Sequence, residues 1–246
     1  MQARKHYSRA PVTEALIDIQ VQLPQEVKLD ILAQVYSSIQ TEYSKREEMF
    51  VLQGEMTAAG ASVGATASQS QIGYMAFSNE QKQILQVRLN GFTFSRLAPY
   101  DCWETFRDEA KRLWSIYQSL TYPAAITRLA VRYINRLDIP LPVSDLKNYL
   151  RTFPEVSSDL PQGLSGYFMQ LQIPQEQLET MLVLNQALVP PPAPNFISIL
   201  LDLDLFLERD IPKDEIKLWE IVEQMHEQKN NAFEACITEQ TRELIK

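Results

Sequence analysis

Two stretches of this chain, 116 residues apart, carry the same strand pattern. Ala15, Ile17, Ile19, Val21 and Leu23 alternate with Glu14, Leu16, Asp18, Gln20 and Gln22, and Pro24 closes the run. Residues 125–140, AITRLAVRYINRLDIP, place Leu129, Val131, Tyr133 and Leu137 on one face and end on Ile139-Pro140. A period of two with one polar face predicts a half-buried strand. The same shift of 116 sets Trp103 on Trp219 and Tyr117 on Phe233. After each strand the order is helix, three strands, closing helix. The pattern predicts an α+β protein of two similar βαβββα halves, residues 1–122 and 123–246, related by internal duplication, with antiparallel sheets packed by helices. The two first strands, equivalent in that scheme, are the expected central join.

In the first half, helical spacing of Val27, Ile31, Val35 and Ile39 predicts a helix. MFVLQGEMTAAG (49–60) reads as a strand, and the small, uncharged TAAGASVGATASQSQ (57–71) as a hairpin loop. IGYMAFS (72–78) and QILQVRLNGFTFSRL (83–97) read as two further strands joined by a turn around Asn79. A helix is expected from Pro99, with Trp103, Phe106, Ala110, Leu113 and Tyr117 as its apolar stripe. In the second half, VSDLKNYLRTF (143–153) reads as a short helix capped by Ser144 or Asp145. GYFMQLQIP (166–174), QLETMLVLNQALV (177–189) and NFISILLDLDLFLE (195–208) read as strands, and a long helix is expected from about Pro212 to the end.

Charge and motif content narrow the function. The 246 residues carry a net charge of −8, which weighs against a general nucleic-acid coat and leaves a local basic patch open. No run approaches the roughly 18 apolar residues of a membrane span, and no apolar signal core follows the basic N-terminus. The expected location is the cytoplasm, with Cys102 and Cys236 as reduced thiols in amphipathic helices. His6 and His226 are the two histidines, and CxxC, HExxH, GxSxG and phosphate-cradling glycine loops are missing. No catalytic residue, cofactor or metal is expected from these patterns.

The arginines are the most suggestive candidates. Arg128, Arg132 and Arg136 are spaced by four and share a strand face. With Arg88 and Arg96 they could line a groove for a phosphate, another anion or a nucleic acid. They could equally form an ion-pair ladder with Glu14, Asp18 or helix carboxylates. In NGFTFSRLAPYDCW, interleaved Phe92, Phe94 and Arg96 suit nucleic-acid stacking or a plain core strand. Asp202, Asp204 and Glu208 form an acidic row that fits magnesium or a solvated strand face. The terminal helix offers Trp219, Val222, Phe233 and Ile237 as an interface, or as the face that packs on its own sheet.

HYSRAPVTEALIDIQV near the start, FTFSRLAPYDCWETF, RLAVRYINRLDIP and HEQKNNAFEACITEQTRELI resemble a sporadically distributed prokaryotic family of chains of about this length. The resemblance spans nearly the whole chain. It implies no activity and no catalytic residues, because none is established for the family. Its patchy distribution suggests an accessory or defence-related role, a hint by association. The leading expectation is a non-enzymatic cytoplasmic binding protein acting through a protein partner or as a homodimer, possible as a subunit of a larger assembly. The alternatives are an anion or nucleic-acid binder using the arginine face and an enzyme of unrecognised type.

Overall fold

The alternating strand at the front of the chain buries its apolar face as expected. In β1 (Val12–Gln22), Ala15, Ile17, Ile19 and Val21 are all buried. The computed structural model describes residues 7–59, 62–157, 159–160 and 164–246. The elements after β1 are α1 (Leu29–Ser37), β2 (Lys45–Ala59), β3 (Ser62–Phe77), β4 (Gln83–Arg88), β5 (Gly91–Leu97), α2 (Trp103–Thr121) and β6 (Ala125–Pro140). They continue with β7 (Phe168–Gln175), β8 (Thr180–Val189), β9 (Phe196–Leu207), α3 (Glu215–Cys236) and α4 (Glu239–Ile245). The fold is α+β: among the described residues, nine strands form a mostly antiparallel sheet accompanied by four α-helices. The strand order is β2-β3-β4-β5-β1-β6-β9-β8-β7, so β1 and β6 are neighbours at the join expected for the two first strands.

Several elements differ from the sequence expectation. QILQVRLNGFTFSRL is a hairpin, β4 and β5, turning at Leu89-Asn90. Asn-Gly at 90–91 is a strong hairpin signal, and the alternation on both sides hides it. A Cβ at Gly91 would lie 2.8 Å from the Ile19 carbonyl oxygen, so the chain needs glycine there for close approach to β1. Residues 57–59 and 62–71, expected as part of a loop, belong to the paired strands β2 and β3, whose pairing runs out to Ala59 and Ser62; residues 60 and 61 of that expected loop lie outside the described residues. Backbone hydrogen bonding sustains those strands where small, uncharged side chains carry no pattern. The helix expected from Pro99 starts at Trp103. The short helix after β6 is a 3-10 turn over Leu146–Asn148, capped by Asp145, which accepts from the Lys147 amide at 2.8 Å. The terminal helix breaks into α3 and α4 at Ile237-Thr238, where Ile237 bridges to Leu150 and the Thr238 amide donates to the Tyr149 carbonyl.

The chain divides into two compact units. Unit one holds residues up to Ile17, Arg96–Cys102 and Arg128–Lys246. Its strands β6, β9, β8 and β7 are antiparallel, with Tyr133 opposite Leu203, Leu184 opposite Leu203, and Leu171 opposite Leu184. That row lies on the face packed by α3, which buries Leu218, Trp219, Val222, Met225 and Phe233. Unit two holds Asp18–Ser95 and Trp103–Thr127. Its core is aromatic. Phe92 meets Trp114 edge-on at 5.6 Å between ring centres, and Phe94 stacks on Phe106 at 5.4 Å. Phe92 and Phe94 are therefore core side chains of this unit, fully buried.

Candidate functional site

The arginine row and the acidic row, separate candidates in the sequence, meet each other. The β6–β9 register places Arg132 opposite Asp204 and Ile134 opposite Asp202. Arg132 reaches diagonally to Asp202 with two hydrogen bonds, 2.8 and 2.7 Å, the planar fork geometry that suits a carboxylate. Arg128 leans over the Phe206 ring, 4.5 Å from its centre, and donates to Asp204 at 2.8 Å. Burial pushes the Asp204 carboxyl above the usual carboxylate range, and Arg128 and Arg132 pull against that shift. Arg136 pairs with Asp138 of its own strand at 2.9 Å. In unit two, Arg88 pairs with Asp18 at 2.9 Å, and Thr93 donates to the same oxygen at 2.6 Å. Arg96 pairs with Asp101. Each arginine proposed for an anion site thus has a carboxylate of this chain against it. The ladder's partners are Asp202, Asp204 and Asp138; Asp18, expected opposite the row, pairs with Arg88.

A polar chain continues from the Arg132–Asp202 pair across the sheet. Asn185, opposite Asp202 in register, donates to it at 3.0 Å. Gln170, opposite Asn185, donates to Asn185 Oδ1 at 2.8 Å. The chain Arg132–Asp202–Asn185–Gln170 ends on β7, at the edge of the sheet.

The opposite face of the same sheet holds an unusual lysine. Lys229 of α3 is only 5% exposed. Its Nζ lies 3.3 Å from the centre of the Tyr133 ring and donates to Asn230 Oδ1 at 2.6 Å. Burial pulls the ammonium down to about 7. Asn230 Nδ2 and His226 Nε2 are 3.0 Å apart, and the Tyr133 and Tyr100 hydroxyls are 2.7 Å apart. Tyr100 lines a cleft of about 470 Å³ together with Tyr7, Arg9 and Asp101. Among the described residues no group of three or more His, Cys, Asp and Glu is placed to hold a metal ion.

Trp219, Val222, Phe233 and Ile237, the interface expected on the terminal helix, are all buried within unit one. Ile216, in the first turn of α3, is exposed, as are Leu141 and Val156 between β6 and β7, and a further set lies on and just before β7. Phe168 is 70% exposed and Ile173 37%, both on β7, with Leu160 and Leu164 in the segment before it. Tyr167, just ahead of β7, accepts from the Leu188 amide at 3.2 Å. Antiparallel alternation then turns the backbone groups of Met169, Leu171 and Ile173 toward β8 and those of Phe168, Gln170 and Gln172 outward. Among the described residues no backbone hydrogen bond is made to that outer edge. Residues 160–175 contain no charged side chain. Sequence reasoning recognises β7 as a strand and misses its exposure, although Pro174 is a usable signal: proline within a strand marks an edge, and here the missing N–H belongs to the outward set.

No helix of the described residues is long and apolar enough to cross a membrane. The chain matches no protein-family model, and no curated protein matches it.

Proposed function

We propose that the chain is a non-enzymatic binding protein of the cytoplasm, acting through protein partners, and that a partner adds an extended strand to the outer edge of β7. The observation that carries this reading is that edge: outward N–H and C=O groups at Phe168, Gln170 and Gln172 in an uncharged strand flanked by exposed apolar side chains. Such an edge is a template for strand addition, in which backbone hydrogen bonds supply affinity and alternate side chains supply selectivity. The anion or nucleic-acid reading has less support, because each arginine of that set is ion-paired within the chain.

We also infer that the halves descend from one unit. Strand order outward from β1 is β5, β4, β3, and outward from β6 it is β9, β8, β7, so corresponding strands occupy corresponding places and β2 is an addition.

The test is a side-by-side purification of tagged wild type and Gln170→Pro from the source cell. Proline at 170 removes an outward N–H and spares the β8 ladder, as Pro174 does. A stoichiometric protein species, a second copy of the chain included, held by wild type and lost by the variant supports the reading. Equal recovery from both, or no bound species with either, overturns it.

A further inference from the structure

The strand that β7 is best built to accept is β7 itself. We infer that two copies of this chain join edge to edge through antiparallel β7 strands, with the twofold axis at Leu171; this rests on the reading of β7 as a docking edge. Three features support a second copy over an unrelated strand.

The first is register. Outward groups belong to even-numbered residues, so even residues must form the hydrogen-bonded pairs of the new ladder. Centring on Leu171 opposes Gln170 with the partner's Gln172, Phe168 with the partner's Pro174, Met169 with the partner's Ile173, and Leu171 with itself. Apolar side chains then meet apolar ones at all three odd positions, and the glutamines meet each other on the opposite face. Centring on Gln170 instead sets Phe168 against glutamine and asks Tyr167 to face Ile173. Tyr167 is already engaged, donating to Gln186 at 2.9 Å and packing edge-on against Phe153 at 5.3 Å. Pro174 lies at the end of the paired segment, where its lack of an N–H removes a terminal bond and leaves about six between the copies.

The second is continuity. On the face packed by α3, the row Tyr133–Leu203–Leu184–Leu171 runs in register out to the edge. A second copy extends it through Leu171 without a break. On the other face, the chain Arg132–Asp202–Asn185–Gln170 reaches the same edge. Gln170 uses its amide nitrogen on Asn185, so its oxygen faces the amide of the partner's Gln172.

The third is charge. The chain is −8 overall, which opposes self-association at most surfaces. Residues 160–175 contribute no charge, so like charges do not oppose each other across this axis.

The experiment combines mass and cross-linking on the full chain. Light scattering of wild type is expected to give twice the chain mass at high concentration, falling toward the chain mass on dilution, and Gln170→Pro is expected to stay at the chain mass throughout. Leu171→Cys keeps every backbone donor. Directly opposed non-hydrogen-bonded residues sit about 4.5 Å apart between Cα atoms, within the span of a disulfide. With a mild added oxidant, Leu171→Cys is expected to form a covalent dimer, and Gln170→Cys at least tenfold less. A covalent dimer at 170 in preference to 171 overturns the register. Wild type at the chain mass at every concentration overturns the second copy as occupant; if wild type then still holds a different protein that Gln170→Pro loses, the docking edge itself stands. If mass and bound protein are both unchanged by Gln170→Pro in a folded chain, edge and occupant fall together.

Discussion

β2 and β7 are both edge strands, and they are finished in opposite ways. β2 opens with Lys45, Arg46, Glu47 and Glu48, and its register with β3 shifts between Met49 and Phe50. Charges and a bulge are the usual means of keeping an edge from pairing with another chain. Arg46 is further tied down over the Tyr36 and Tyr74 rings, at 4.9 and 4.6 Å. β7 has neither device along its length, and its one proline comes at the end. Selection against aggregation acts on both edges of such a sheet. The guard on β2 covers its first residues and the bulge, beyond which Phe50 and Leu52 are exposed; β7 carries no guard anywhere along its length, which is best explained by use.

The largest expected effect concerns the helix face that holds β7 in place. Gln228 of α3 accepts from Thr180 and donates to Gln175 at the end of β7, and its neighbour Lys229 is buried. With its folded value near 7 and its ordinary value at 10.5, Lys229 binds a proton less readily in the folded chain. The unfolded chain therefore holds more protons between those values. Stability rises with pH across that window, by up to about 1.4 kcal/mol per unit, and the full penalty applies below it. Lys229→Met is expected to stabilise the chain by several kcal/mol at neutral pH and to flatten the profile. Urea midpoints from pH 6.5 to 9 measure this below the range where buried tyrosines ionise. An unchanged slope in the variant would remove Lys229 as its cause.

Next comes a pair of proline substitutions one residue apart. Leu171→Pro removes an N–H directed to β8 and is expected to cost about 2–3 kcal/mol. Gln170→Pro removes an outward one and is expected to stay within about 0.5 kcal/mol of wild type while abolishing the dimer. Equal destabilisation by both would mean that β7 is not an open edge.

The polar chain allows a smaller cut. Asn185→Ala takes one donor from buried Asp202 and the acceptor from Gln170, at an expected cost of about 1–2 kcal/mol. It should also weaken dimerisation severalfold in a dilution series, whereas a variant with wild-type dissociation would confine the chain's role to one copy. Smallest is the guarded edge. Lys45 and Glu47 pair at 2.7 Å with both side chains more than half exposed. Glu47→Ser with Glu48→Ser is expected to change stability by no more than about 0.5 kcal/mol. Non-specific association should nonetheless increase at high concentration, because half of the charged guard is gone; no increase would show that Lys45, Arg46 and the bulge suffice.

Much of the scaffold is legible in the sequence, for identifiable reasons. β1, β6 and β9 alternate cleanly because one face of each packs on a core. The spacing of Arg128, Arg132 and Arg136, and of Asp202 and Asp204, correctly places each row on one strand face. Their mutual pairing is not legible, since it depends on which strand lies beside β6 and in what register. Residues 57–71 carry no alternation in the sequence because the stretch is composed of small and uncharged residue types. The β4–β5 turn is signalled by Asn90-Gly91 and masked by the pattern running through it. The terminal helix shows an apolar stripe, but a stripe is the same whether it faces its own sheet or another chain. Openness of β7 is a property of strand order, and the sequence offers only Pro174 and the absence of charge to suggest it.

Amide hydrogen exchange at β7, resolved by residue and repeated across concentration, tests the docking edge most directly. The expected result is slow exchange at Gln170 and Gln172 in concentrated wild type, lost on dilution, with Leu171 and Ile173 protected at every concentration by β8. Fast exchange at Gln170 and Gln172 at all concentrations, in protein whose mass is that of a dimer, would contradict it and place the contact between copies elsewhere.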